Sequence, residues 1–277
     1  MFVSAVIIAL LSACSAVPRL GSSPASGATP AATAGSSSAT YVQLVVFAAA
    51  SLNDAFTQIG STFETQHPGV NVAFSFAGSN LLRIQIEQGA RVDVFASADN
   101  AELNTLIHDG LIISGTQKVF TRNRLAILVP KGNPAGVNTP CDLAKPGLKL
   151  VLANDKVPVG HYARQSLAKL DANPSCGSGF STRALANVVS NEEDVKAVVE
   201  KVQLGEADAG IAYVSDLTPS AAQQVKLIPI PDAYNVVATY PIAPLKEAPH
   251  AALAQAFVDS ILSPAGQQVL KKWGFQP

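Results

Sequence analysis

Val46–Leu52 reads VFAAASL and Val72–Asn80 reads VAFSFAGSN, and the two stretches share one pattern: a short apolar run, then small residues, then a serine. A run of that length suits a buried strand, and the serine stands where the next helix begins. Ser51 is followed three residues later by Asp54, the spacing of a capping box with Ser51 as N-cap. Ser79 follows Gly78, a residue that lets backbone approach a ligand closely. The junction recurs at VPVGHYA (Val157–Ala163), where Pro158, Val159 and Gly160 precede a helix. It recurs again at SNEEDV (Ser190–Val195), with Ser190 three residues before Glu193 at a helix start.

Outward from these junctions, short apolar runs alternate with amphipathic stretches, which is the pattern of an α/β fold with a mostly parallel sheet. Strands are expected at Leu44–Ala48, Val70–Phe76, Val92–Ala96, Leu125–Pro130, Leu148–Ala153, Ala209–Val214, Val225–Ile230 and Val237–Ile242. Helices are expected at Leu52–Gln66, Asn80–Gln88, Ala101–Asp109, His161–Leu170, Glu192–Leu204, His250–Leu262 and Ala265–Trp273. The folded part, about 235 residues, exceeds the commonest size of a single core, so two lobes are expected, with Thr121–Asn123 a candidate crossing between them.

The N-terminus is different in kind. FVSAVIIALLSA, residues 2–13, is apolar but too short for a permanent membrane span, and it reads as an export signal. Leu11, Ser12, Ala13 and Cys14 resemble a lipobox, so residues 1–13 are read as signal peptide and Cys14 as a lipidation site, although no Lys or Arg precedes the apolar run. Residues 14–40, almost all Ser, Ala, Gly, Pro and Thr after the cysteine, form a flexible tether, because they cannot bury enough apolar surface to offset ordering entropy. With Cys14 acylated, Cys141 and Cys176 remain as an even pair in an oxidising compartment. A disulfide between them is the economical reading and two buried thiols the alternative.

Most chemistries lack their residues. A net charge of −1 with 48% hydrophobic residues gives no basic field for nucleic acid. There is no GxSxG elbow, Walker loop, HExxH or GxGxxG opening a helix, and His67, His108, His161 and His250 lie apart without ligand spacing. What remains is four helix N-termini preceded by small polar residues. Helix N-termini expose unpaired N–H groups and about half a positive charge each, so they bind anions without Lys or Arg. Spacing alone leaves it open whether Ser51 and Ser79 ligate an anion or only cap their helices.

At these residues the sequence resembles the periplasmic molybdate-binding proteins, the ModA family of type II solute-binding components of molybdate ABC transporters, here in lipoprotein form. The resemblance runs from about Leu44 to Phe275. Its blocks come in family order: VFAAASL at Val46, FAGS at Phe76, DVFASAD at Asp93, VPVGHYA at Val157, EDV at Glu193, DAGIAYVSD at Asp208 and WGF at Trp273. It implies two α/β lobes, each a mostly parallel sheet flanked by helices and joined by a two-stranded hinge. The first lobe would be 41–121 plus 239–277 and the second 122–238. It implies an oxyanion held by uncharged donors: Ser51 and Ser79 through hydroxyl and amide, Val159 and Val195 through backbone amides, Tyr213 through its phenol. Gly78 stands where the family often has Ser, and Val159 where Ala is usual.

The resemblance also implies no catalytic residues, no cofactor and no metal ligand, molybdenum entering only as molybdate, with tungstate the other ligand. Asp93 and Asp99 would be structural. The partners implied are an ABC permease with its ATPase, the small oxyanion, and a membrane reached through the N-terminal lipid. The chain would be a monomer on the extracytoplasmic side, periplasmic or towards the cell wall. The competing readings are a binder of sulfate, thiosulfate or phosphate, a serine hydrolase with a base beside Ser51, and a surface adhesin or scaffold.

Overall fold

A computed structural model describes residues 41–276. The signal segment, Cys14 and the tether lie outside the described residues. In chain order the elements are β1 (Val42–Ala49), α1 (Asn53–Gln66), β2 (Val70–Ala77), α2 (Ser79–Glu87), β3 (Val94–Ala96), α3 (Asn100–His108) and β4 (Lys118–Pro130). There follow β5 (Leu150–Ala153), α4 (Pro158–Leu170), α5 (Phe180–Ala186), β6 (Val188–Glu192), α6 (Val195–Gln203) and β7 (Ala209–Tyr213). The chain ends with β8 (Val225–Pro229), β9 (Val237–Pro244), α7 (Ala251–Leu262) and α8 (Pro264–Lys272).

The strands run in the order β2-β1-β3-β9-β4-β7-β5-β6, with β8 pairing β4 off this path. The fold is α/β, as expected, but the parallel pairing is confined to the two ends. β1 pairs β2 and β3, and β5 pairs β6 and β7, in parallel. Every ladder made by β4 or β9 is antiparallel. The reason is topological, because these two strands lie side by side in the middle of the strand order, between β3 and β7. Strand β4 begins at Lys118, seven residues before the expected Leu125, and pairs β9 from Lys118↔Ile242 to Arg124↔Val237, across the expected crossing at Thr121–Asn123. The ladder is clamped by the chain end: Arg122 N–H donates to Gln276 O (2.7 Å), Gln276 N–H donates to Arg122 O (2.9 Å), and Thr121 Oγ1 donates to the same Gln276 carbonyl (2.7 Å).

Successive side chains of a strand face opposite sides, and the two apolar clusters sort along β1 and β3 accordingly. Leu44, Val46, Ala48, Val94 and Ala96 join the larger core, which includes Phe56 and Phe63 of α1 and Phe257 of α7. Phe47 and Phe95 point the other way, into a second cluster with Leu82 and Ile86 of α2 and Leu103 and Leu106 of α3. Helices therefore cover both faces of this end of the sheet, so their N-termini sit at the carboxyl ends of the strands. At the other end α4 and α6 pack on β5 and β7, with Val198 and Val202 of α6 against the bare Cα of Gly210.

Two elements, α5 and β6, were not expected from the sequence. Both are short, and β6 carries the polar run Ser190–Glu192, which has no apolar alternation to announce it. Cys141 and Cys176 are joined by a disulfide, with Cα atoms 4.7 Å apart and a separation of 35 positions in sequence.

Candidate functional site

Residues at or just after the ends of several strands meet at one small cavity. It is lined by Ser51 after β1, Gly78 and Ser79 after β2, Val159 of α4, Val195 of α6 and Tyr213 at the end of β7. All the expected ligand-binding residues are thus brought together, and all are buried. No Lys or Arg lines the cavity among the described residues. Cations on the helices that reach the cavity are engaged elsewhere: Arg83 of α2 with Glu87 and Glu102, Arg164 of α4 with the Ala153 and Gly160 carbonyls and Asn191, and Lys196 of α6 with Asp54.

The local chemistry of each residue differs from its expected role in instructive ways. Ser51 is not an N-cap. It lies inside a 3₁₀ turn, Ala50–Leu52, and α1 begins after Leu52 with no side-chain cap. Its hydroxyl instead pairs with the phenol of Tyr240 on β9 at 2.9 Å. Ser79 is the first residue of α2, after Gly78. Its oxygen accepts from Ala98 N–H at 3.0 Å, which leaves the hydroxyl proton free to donate. Ser190 is not a cap either, since it sits within β6. Helix α6 is capped by Asp194, whose carboxylate accepts from Ala197 N–H at 3.0 Å.

Three helix N-termini face the cavity through Ser79, Val159 and Val195, and their first N–H groups lack intrahelical partners by geometry. At α4, Pro158 occupies the first position, which has no N–H to waste, and the backbone comes in tightly. A Cβ at Gly160 would fall 2.1 Å from Asn154 O and 2.4 Å from Ala153 O. Only glycine lets α4 start so close behind β5.

Tyr213 contributes a phenol of a particular kind. Its hydroxyl is buried and makes no hydrogen bond among the described residues. Burial, then the neighbouring Tyr240, Tyr162 and Asp99, hold it well above the usual phenol range, so it stays an O–H donor. Its own N–H donates to Asp216 Oδ2 at 3.0 Å. Asp216 is 1% exposed, and burial pushes its carboxyl up to about 6, against an opposing pull from Lys196.

Asp93 and Asp99 are structural here. Asp93 takes Val45 N–H (2.8 Å) and His250 N–H (2.7 Å), tying β1 to the start of α7, and Asp99 caps α3 by accepting from Glu102 N–H at 3.0 Å. No group of three or more His, Cys, Asp or Glu residues is placed to hold a metal ion among the described residues. Tyr240 was not foreseen as part of the site. It lies 189 residues from Ser51 in sequence, on a strand with no motif of its own.

Chemically, the cavity offers hydroxyls and N–H groups. Among the described residues no base lies within hydrogen-bond reach of Ser51, whose partner is a phenol held protonated by burial, so the site is suited to holding an anion rather than to activating a nucleophile.

The chain is similar to known binding proteins over nearly its full length. It is 41% identical to the molybdate-binding protein ModA of Mycobacterium tuberculosis H37Rv over 274 residues, covering 99% of this chain and 95% of that one. The fold matches the Azotobacter vinelandii periplasmic molybdate-binding protein with a TM-score of 0.70 at 21% identity, covering 84% of this chain and 99% of that one. It also matches the sulfate-binding protein SubI of Mycobacterium tuberculosis H37Rv with a TM-score of 0.75 at 18% identity, over 86% and 87% of the two chains. Residues 44–276 match the model of the bacterial extracellular solute-binding proteins. The chain belongs to that family, whose members bind solutes for transport and are not enzymes.

Proposed function

We propose that this protein captures molybdate, and tungstate with it, between its two halves outside the cytoplasm and hands it to an ABC permease driven by an ATPase. The observation that carries this reading is the convergence of Ser51, Ser79, Val159, Val195 and Tyr213 on one cavity with no cation in its lining. A dianion there is held by charge-assisted hydrogen bonds and by the positive ends of α2, α4 and α6. Leaving out a buried Lys or Arg avoids the desolvation cost of a second ion and eases release.

In this reading the halves are 41–121 plus 239–277 and 122–238, and the β4–β9 ladder is their hinge. The open form meets the anion, and closure replaces its water shell with fixed donors from both sides. Size sets selectivity, because the oxygens of molybdate and tungstate reach farther from the centre than those of sulfate and rigid donors do not follow the smaller ion. Cys14 carries the lipid that holds the protein, as a monomer, at the membrane surface. The 41% identity to a molybdate-binding protein favours molybdate over sulfate, whereas the fold is common to binders of both.

The test is native mass spectrometry of the purified protein with molybdate, tungstate and sulfate in competition. One molybdate or tungstate per chain, retained against excess sulfate, is the expected result. Preferential retention of sulfate would reassign the ligand, and no retained oxyanion at all would end the proposal.

A further inference from the structure

Gly78 has backbone angles of φ −58° and ψ 133°, which any residue adopts, so the turn into α2 does not itself require glycine. The requirement comes from across the cavity. A Cβ at this position would lie 2.6 Å from the Glu193 carbonyl oxygen and 3.6 Å from Val157 Cγ1, both on segments that lead into α6 and α4. It would also lie 2.8 Å from Asn80 Oδ1, the far end of a side chain that can swing away. The Glu193 oxygen cannot swing away. It belongs to backbone fixed on one side by β6 and on the other by the capped start of α6.

We infer that Gly78 sets how far the two halves close, its missing side chain letting the Glu193 backbone seat against the β2–α2 turn so that Val159 and Val195 reach an anion held by Ser51 and Ser79. This rests on the binding function proposed above and names a residue that governs affinity without donating a hydrogen bond. The contact is made between halves, so in the open form a Cβ at position 78 meets nothing from the other side. Once Asn80 has swung aside, a side chain there penalises closure.

The experiment compares wild type, Gly78→Ala and Gly78→Ser in three measurements with molybdate as probe. These are the melting temperature without anion, stopped-flow association and dissociation rates, and the radius of gyration with and without anion. The expected result is an unchanged melting temperature and association rate, a dissociation rate raised about ten- to a hundredfold, and an anion-bound form less compact than wild type. A wild-type protein that ignores molybdate would sink the binding function, and this inference with it. Wild-type binding matched by both variants would overturn this inference alone. So would variants that fail to fold or melt much lower without anion, since Gly78 would then serve the fold and not closure.

Discussion

Lys196, the second residue of α6, places its Nζ 3.0 Å from Asp54 Oδ2 on α1, an ion pair between two helices 142 residues apart in sequence. The same ammonium lies 3.8 Å from Asp216 Oδ1. The pair joins elements that carry proposed donors, since Lys196 follows Val195 and Asp54 lies three residues after Ser51. Both side chains keep about a third of their exposure, 34% and 37%, so the pair behaves as a surface ion pair contributing about 0.2–1 kcal/mol. Lys196→Met should weaken molybdate binding by about two- to fivefold, and the loss should shrink in concentrated salt. Calorimetry on Asp54→Asn, Lys196→Met and the double variant checks this, because non-additive losses are the mark of a direct pair. A loss of a hundredfold would instead put Lys196 on the anion itself.

Asp216 predicts a pH dependence with a definite sign. Its carboxyl is raised from an ordinary 3.8 to about 6 by burial, so the folded protein holds that proton more tightly than the unfolded chain does. The resulting stabilisation is fully present below about pH 4 and is lost as pH rises through 6, on the order of 3 kcal/mol in all. Asp216→Asn, neutral throughout, should therefore gain stability relative to wild type as pH climbs from 4 to 7. Paired thermal melts across that range read the difference directly, since other carboxyls titrate alike in both proteins. Curves that stay parallel would mean Asp216 is already ionised in the folded protein at pH 4.

Ser51 and Tyr240 form a relay in which one hydroxyl serves two masters. If the Tyr240 phenol donates to Ser51 Oγ, the serine proton is free for the anion, and burial keeps Tyr240 protonated for that role. A hydrogen bond to a charged group contributes about 1.5–3 kcal/mol, so Ser51→Ala should weaken molybdate binding roughly ten- to two-hundredfold. Tyr240→Phe removes only a neutral hydrogen bond of about 0.5–1.5 kcal/mol and should cost about two- to tenfold. Titration of both variants gives the ranking, and a larger loss for Tyr240→Phe would place the phenol, not the serine, against the ligand.

The strand-to-helix junctions were legible because a buried strand and a helix start leave marks within seven residues. Thus Ser79 could be singled out from its local pattern, whereas Val159, Val195 and Tyr213 were named as donors only through the resemblance to the molybdate-binding family. What the sequence hid was long-range partnership. Ser51 has the spacing of a cap, yet its hydroxyl faces Tyr240, a residue brought in by the return strand β9, and no local propensity encodes that. Asp194 displaced Ser190 as the cap of α6 because β6 extends through Ser190 and Asn191 in register with Val151 and Leu152. The antiparallel centre of the sheet was equally silent, since an apolar run carries no direction.

The bond between Cys141 and Cys176 offers a stability prediction independent of the anion. It ties the turn Pro140–Ala144 to the turn Pro174–Cys176 that follows α4, closing a segment of 35 residues. Cross-linking a loop of that length restricts the unfolded chain by about 4 kcal/mol in the chain-entropy account. For a folded unit of this size that corresponds to a fall in melting temperature of roughly 8–16 °C on removing the bond. The double variant Cys141→Ser, Cys176→Ser should show that fall in calorimetric scans, as should wild type under strong reductant. Neither cysteine lines the cavity, so molybdate affinity at a temperature well below the transition should be unchanged. A drop in affinity alongside the drop in stability would mean that the bond also holds α4 in place, since the N-terminus of α4 presents Val159 to the anion and its C-terminus leads into the bridged turn.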